Sequence, residues 1–176
     1  VSQDERRLLI VGVDPGSGIS SPTGLAIFYP DTKDPIHVEE VGTEEKELAH
    51  RLRSISAHIG DLLLSLDPDG YDVRVYIESF VMRGKSGETL ARLVGALMAS
   101  VPYEIRVGFV QNTTVKKNIA GHGHATKAEV AQGLLKWAKG SRRMEALVRA
   151  CVRDGNWDAV DALAIGVAGY ERDFTS

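Results

Sequence analysis

Four acidic residues that stand far apart in the chain, Asp14, Glu78, Asp158 and Asp161, each fall at the end of a predicted strand or in the first turns of a predicted helix. Gathered by a fold, four carboxylates would repel one another unless a cation lay among them. The pattern therefore points to a metal-dependent enzyme built on hard oxygen ligands. Asp14 ends the run LLIVGVDPGSG, where Leu8 to Val13 reads as a strand buried on both faces and Pro15-Gly16 turns the chain directly after the carboxylate. Glu78 ends VRVYIES, in which Val73, Val75 and Ile77 alternate with Arg74, Tyr76 and Glu78. Asp158 and Asp161 open WDAVDALAIGVAGY, a helical stretch whose spacing of three puts both on one face.

The elements that must position these residues follow from periodicity. Residues 23–29 and 36–41 read as the second and third strands, separated by the turn Asp31 to Pro35, and residues 44–66 form a helix with an apolar stripe through Leu48, Leu52, Ile55, Ile59 and Leu63. Strand four covers 72–79. A helix over 87–100, capped by Ser86, carries Leu90, Leu93, Val94, Leu97 and Met98 on one side and the small residues Ala91, Gly95 and Ala99 on another. Strand five covers 104–110. Thr126 and Glu129 make a capping box for a helix over 127–138, Ser141 caps another over 142–152, and a last helix covers 157–171. This order predicts an α/β, ribonuclease-H-like fold: a mixed five-stranded sheet flanked by helices, with the first strand central and its end facing strand four and the last helix. One domain over 1–176 is expected, with short tails at 1–6 and 173–176.

Four blocks in order, VGVDPGS, IES followed by Phe80, VKKNIAGHGHATKAEV and DAVDALAIG, resemble the signature blocks of the RuvC family of Holliday junction resolvases. The tripeptides are weak alone; the third block and the ordered set are specific. The resemblance implies a homodimeric endonuclease that resolves four-way DNA junctions by paired nicks with magnesium, or manganese in its place. It carries the acidic tetrad onto Asp14, Glu78, Asp158 and Asp161, and basic residues near the scissile strand onto Lys116 and Lys127. In three places the chain departs from the pattern. Val81 stands where many relatives have a wedge-forming aromatic, with Phe80 one position earlier; residues 19–23 lengthen the first hairpin; and a helix near 141–152 is extra.

Hydrolysis of a phosphodiester needs charge stabilisation at the attacking and leaving oxygens, which two cations about 3.5 to 4 Å apart can provide together. Carboxylates suit magnesium or manganese, whereas zinc favours histidine and cysteine. Asp14 is the natural bridging ligand, with Glu78 on one ion and Asp158 and Asp161 on the other. Taken singly, each acid has an ordinary explanation: a turn former, a solvated strand end, a first-turn acid complementing the helix dipole. Lys127 opposes the dipole of the helix it opens, a mismatch that a bound phosphate would relieve, so a catalytic role is expected for it. Lys116, with Lys117 as its substitute, and Arg83, Lys85 and Phe80 in the loop after Glu78 are the remaining DNA-binding candidates. His122 and His124 lack the company of a zinc site, Trp137 and Trp157 read as core, and Cys151 as an inert core thiol.

The 176 residues are 43% hydrophobic and carry a net charge of -3, which by itself argues weakly against nucleic acid. The charge is unevenly divided. Residues 111–153 hold nine bases and two acids, whereas residues 1–50 hold four bases and ten acids. Such asymmetry suits a basic face presented to a polyanion such as branched DNA, and the arginines of 142–153 would extend it, although solvated helix faces would look the same. No apolar run spans a bilayer and no secretory h-region appears, so a cytoplasmic protein without membrane contact is expected. The rival readings are another ribonuclease-H-like nuclease acting on RNA-DNA hybrids, flaps or precursor RNA, a noncatalytic junction-binding protein, and a kinase-like ATPase, for which the chain is too short.

Overall fold

The structure is a computed structural model and describes residues 6–16, 21–67, 70–79 and 84–175, with no side-chain placement for 84–86. Five strands, β1 (Arg7–Asp14), β2 (Thr23–Tyr29), β3 (Asp34–Val41), β4 (Tyr71–Ser79) and β5 (Arg106–Gln111), form one mixed sheet in the order β3-β2-β1-β4-β5. β1 pairs antiparallel with β2 and parallel with β4, as expected for a central strand. The register sets Val13 beside Ile77, so Asp14 and Glu78 leave the sheet at the same end.

Alternation along the strands supplies two cores, one on each side of the sheet. Leu9, Val11 and Val13 of β1 face one way with Leu25, Ile27, Val75 and Ile77, against α1 (Leu48–Ser65) and α2 (Gly84–Ser100). Ile10, Phe28, Tyr76 and Val110 face the other way, toward α3 (Asn112–Ala120), α4 (Lys127–Trp137), α5 (Arg142–Asp154) and α6 (Trp157–Phe174). α6 lies across β1 and β2 and is the most deeply buried helix, with Ala159 to Gly169 almost wholly enclosed. Small residues permit that approach. A Cβ at Gly12 would lie 1.9 Å from the Ala162 carbonyl oxygen, and one at Gly24 1.9 Å from that of Asp158.

Several boundaries differ from the sequence expectation. α1 begins at Leu48 rather than at residue 44, because Glu44 to Glu47 offer nothing apolar to bury. α2 begins at Gly84, which puts Ser86 inside the helix and not at its cap, and Met98 is 41% exposed instead of joining the buried stripe of Leu93, Val94 and Leu97. α3 was not foreseen: it is nine residues long with one buried side chain, Val115, too little for a periodic signal. The expected capping box is present in α4, and Ser141 caps α5 through the Met144 N–H. α6 runs on to Phe174, and the Tyr76 hydroxyl donates to Asp173 at 2.8 Å. Trp137 packs edge-on against Phe28, as a core residue would. No helix among the described residues is long and apolar enough to cross a membrane.

Candidate active site

Asp14 leaves β1 into a turn that Thr23 holds in place. The Gly16 N–H donates to the Thr23 hydroxyl at 3.2 Å, and that hydroxyl donates to the Gly16 carbonyl at 2.8 Å, with Thr23 fully buried. Glycine is required here, since a Cβ on Gly16 would meet the Pro22 carbonyl oxygen at 1.9 Å. α6 then delivers the two helical acids. One carboxylate oxygen from each of Asp14, Asp158 and Asp161 lies within 4.8 Å of the others, all three half-buried. Glu78 joins from the neighbouring strand through a hydrogen bond shared with Asp14, and it lines a cleft of about 110 Å³ with Asp14, Asn112, Lys116, Lys127 and Asp161. Three of the four acids named from the sequence therefore meet within 4.8 Å, and Glu78 shares the cleft with Asp14 and Asp161.

The electrostatics match a cluster lacking enough positive charge. Burial, then the charges of Glu78 and Asp161, the hydrogen bond with Glu78 and the charge of Asp158 push the Asp14 carboxyl up to about 8. Asp158 is also raised, by burial first, with Glu40 and Asp161 adding to it and Lys127 opposing it. Among the described residues the cation in contact is Lys127, whose ammonium sits 2.7 Å from Asp161 and 4.0 Å from Asp158. Burial alone would lower its pKa, but the hydrogen bond to Asp161 and the charges of Asp161, Asp158 and Asp14 outweigh this and raise it. The donor set is all oxygen, tightly grouped and repulsive, which fits a hard divalent cation and not zinc.

Other sequence expectations fare differently. Lys116 lines the cleft, whereas Lys117 points from the last turn of α3 into solvent and does not reach it. Phe80 and Arg83 lie outside the described residues, as does the side chain of Lys85. His122 faces Glu129 at 3.6 Å, and His124 is exposed in the loop before α4. Trp157, read as core, is half-buried and lines a surface groove.

Two residues at the site were not foreseen. Asn112, the first residue of α3, donates its side-chain amide to Glu78 and fixes that carboxylate. Glu40, on β3, accepts from the Asp158 N–H at 3.2 Å and so caps α6, whose N-cap residue Asn156 makes no side-chain bond. Both act across many intervening residues, and no local pattern marks either.

Comparison with known proteins follows the same lines. The profile of the family described as "Crossover junction endodeoxyribonuclease RuvC" matches residues 10–168. A protein of that name from Shewanella baltica is 28% identical over 169 residues, covering 92% of this chain and 86% of the relative. One from Vibrio atlanticus is 25% identical over 165 residues, covering 90% and 84%. Among solved structures, Thermus thermophilus RuvC in complex with a Holliday junction substrate superposes with a TM-score of 0.61 at 24% identity, over 91% of each chain. The human cytomegalovirus terminase nuclease domain has the same fold, at a TM-score of 0.51 and 16% identity, over 97% of this chain and 85% of that one.

Proposed function

This chain belongs to the RuvC family of crossover junction endodeoxyribonucleases, and on that footing we propose that it resolves four-way DNA junctions by paired, symmetric nicks at the cluster of Asp14, Glu78, Asp158 and Asp161. The observation that carries the reading is the meeting of Asp14, Asp158 and Asp161 within 4.8 Å at the junction of β1 and α6, with Glu78 bonded to Asp14 from β4. Magnesium, with manganese as its substitute, suits these ligands, and the bound ions supply Lewis acidity at the scissile phosphate. Asp14, whose carboxyl feels the charges of Glu78, Asp161 and Asp158, would be the ligand shared by the ions.

The remaining residues act on the DNA. Lys127 stands at the N-terminus of α4, where its ammonium and the free amides of the first turn both face an approaching phosphate. In the metal-free site Asp161 holds that ammonium; were Asp161 to ligate an ion, the Lys127 charge would be available to the phosphate as it gains negative charge. Lys116 lines the same cleft, and Asn112 holds Glu78 in place as a ligand. Two such sites are needed for symmetric resolution, so the working unit is a homodimer.

The test is incubation of the purified chain with four-way junction, linear duplex, flap and RNA-DNA hybrid, each with magnesium and with EDTA. Paired nicks in the junction alone, abolished by EDTA and by Asp161→Asn, are expected. The Lys127→Ala variant should lose single-turnover rate by a larger factor than it loses junction affinity. Preferential cutting of the hybrid or flap would move the protein to another substrate within the same fold. Binding of the junction without any metal-stimulated cleavage would make it a noncatalytic binder.

A further inference from the structure

α4 and α5 run side by side away from the active cleft and enclose a groove of about 380 Å³. Its walls are Ala128, Gln132 and Leu135 of α4 and Arg149 and Arg153 of α5, with Trp157 at the end nearest the site. Ala128 follows Lys127 in the chain and Trp157 precedes Asp158, so two of the groove's lining residues are chain neighbours of residues at the acidic cluster. Arg142 and Arg149 are exposed and have no hydrogen-bond or ion-pair partner among the described residues; Arg153 is held by Asp154 at 2.7 Å. The Trp157 indole N–H likewise has no partner among them, although the ring packs partly on the core.

We propose that this groove takes an unpaired stretch of the DNA strand leaving the active cleft, with a base against Trp157 and successive phosphates along Arg149 and Arg142. The inference rests on the DNA substrate proposed above. A strand whose phosphate lies at Asp158 and Lys127 is within reach of a groove lined by their chain neighbours Trp157 and Ala128. The mixture of an aromatic ring, an apolar floor and the unpaired Arg149 guanidinium at the rim, with Arg142 farther along α5 outside the groove lining, suits a single strand, in which base faces are open for stacking, whereas a paired duplex hides them. Seven residues separate Arg142 from Arg149, two helical turns that return both to one face of α5 about 10 Å apart, so they follow one backbone instead of diverging. An acidic peptide would satisfy the arginines but leaves the contact with Trp157 unexplained.

Three measurements on the full chain decide the matter. Titration with a ten-nucleotide oligothymidylate should quench tryptophan fluorescence, and Trp157→Phe, in which only Trp137 still emits, should lose the quench. In Arg142→Gln/Arg149→Gln, the affinity for that oligonucleotide should fall about tenfold at low salt, and the salt slope by about 1.4, the loss of two single-strand phosphate contacts. The double variant Arg53→Gln/Arg106→Gln, which removes the same charge from exposed positions elsewhere, should change affinity by less than about twofold. Quenching that persists in Trp157→Phe, a salt slope equal to that of the control, or equal quenching by a poly-glutamate peptide would each overturn the proposal. Junction cleavage by the unsubstituted chain is measured in parallel. Its absence counts against the function proposed above, while intact cleavage with unresponsive groove variants counts against the groove alone.

Discussion

The Asp14 carboxyl, pushed up to about 8, is mostly protonated at neutral pH in the metal-free protein. An acid whose folded pKa lies above its unfolded value binds more protons when folded, so the contribution of Asp14 to stability is most favourable at low pH and is lost as pH rises through the interval from 3.8 to about 8. Cation binding must displace that proton. The melting temperature of the metal-free protein is therefore expected to fall between pH 6 and pH 8, the fall to shrink in Asp14→Asn, and manganese to raise it more at pH 8 than at pH 6. Scanning fluorimetry with and without metal measures all three, and a pH-independent manganese shift would contradict the protonated carboxyl. Glu40 supports a second expectation. Glu40→Ala leaves the Asp158 N–H of α6 without its acceptor and should cost about 1 kcal/mol, as losing an N-cap does. Glu40→Gln keeps an acceptor oxygen and should retain most of that stability; equal losses in urea denaturation would remove the capping role.

α6 is the element on which the site depends, because it carries two of the proposed ligands and lies close enough to the sheet for them to reach Asp14. That closeness rests on residues without side chains. Gly12 and Gly24 allow the helix backbone to touch β1 and β2, and Gly166 and Gly169 admit Phe28 and Tyr76 from the opposite side. In Gly24→Ala the new methyl would fall 1.9 Å from the Asp158 carbonyl oxygen and 3.1 Å from the Ala162 Cβ, so the first turn of α6 must move. Overpacking of this kind costs about 1–3 kcal/mol, and here the displaced turn is the one bearing Asp158. Urea denaturation should show the loss, and metal-dependent cleavage should fall further than stability explains. A variant that is destabilised but cuts at the wild-type rate would mean that the site tolerates movement of α6.

At the scale of the whole molecule, the proposed homodimer would find its best isologous surface on the outer face of α2. Gly95 there has nothing within 4 Å of where a Cβ would stand, and Met98 is 41% exposed beside Ala99. Leu93, on the same helix, is fully buried, so an arginine there would report on folding rather than association. Gly95→Arg/Met98→Glu places charge on exposed positions only and is expected to give a folded monomer by sedimentation that nicks junctions singly instead of in pairs. A dimer that survives the double substitution would locate the twofold axis on another surface.

By itself the sequence determined which acids the fold would draw together and most of the elements beneath them. Strand alternation, the Asp-Pro-Gly turn, the Thr126 box, the Ser141 cap and the spacing of Asp158 and Asp161 are written in stretches of a few residues, where backbone sterics and local hydrogen bonds decide the outcome. α3 escaped because a nine-residue helix with a single buried side chain has almost no periodicity to read. The start of α1 was misplaced because helix propensity continues where burial stops. Only the tertiary structure could decide the rest. Glu40 reaches Asp158 across 118 residues, Asn112 reaches Glu78 across 34, and Lys127 pairs with Asp161 from a different helix. The Asp14 shift arises from the same cause: burial and converging charge are properties of positions in space, and those positions exist once α6 has settled onto Gly12 and Gly24.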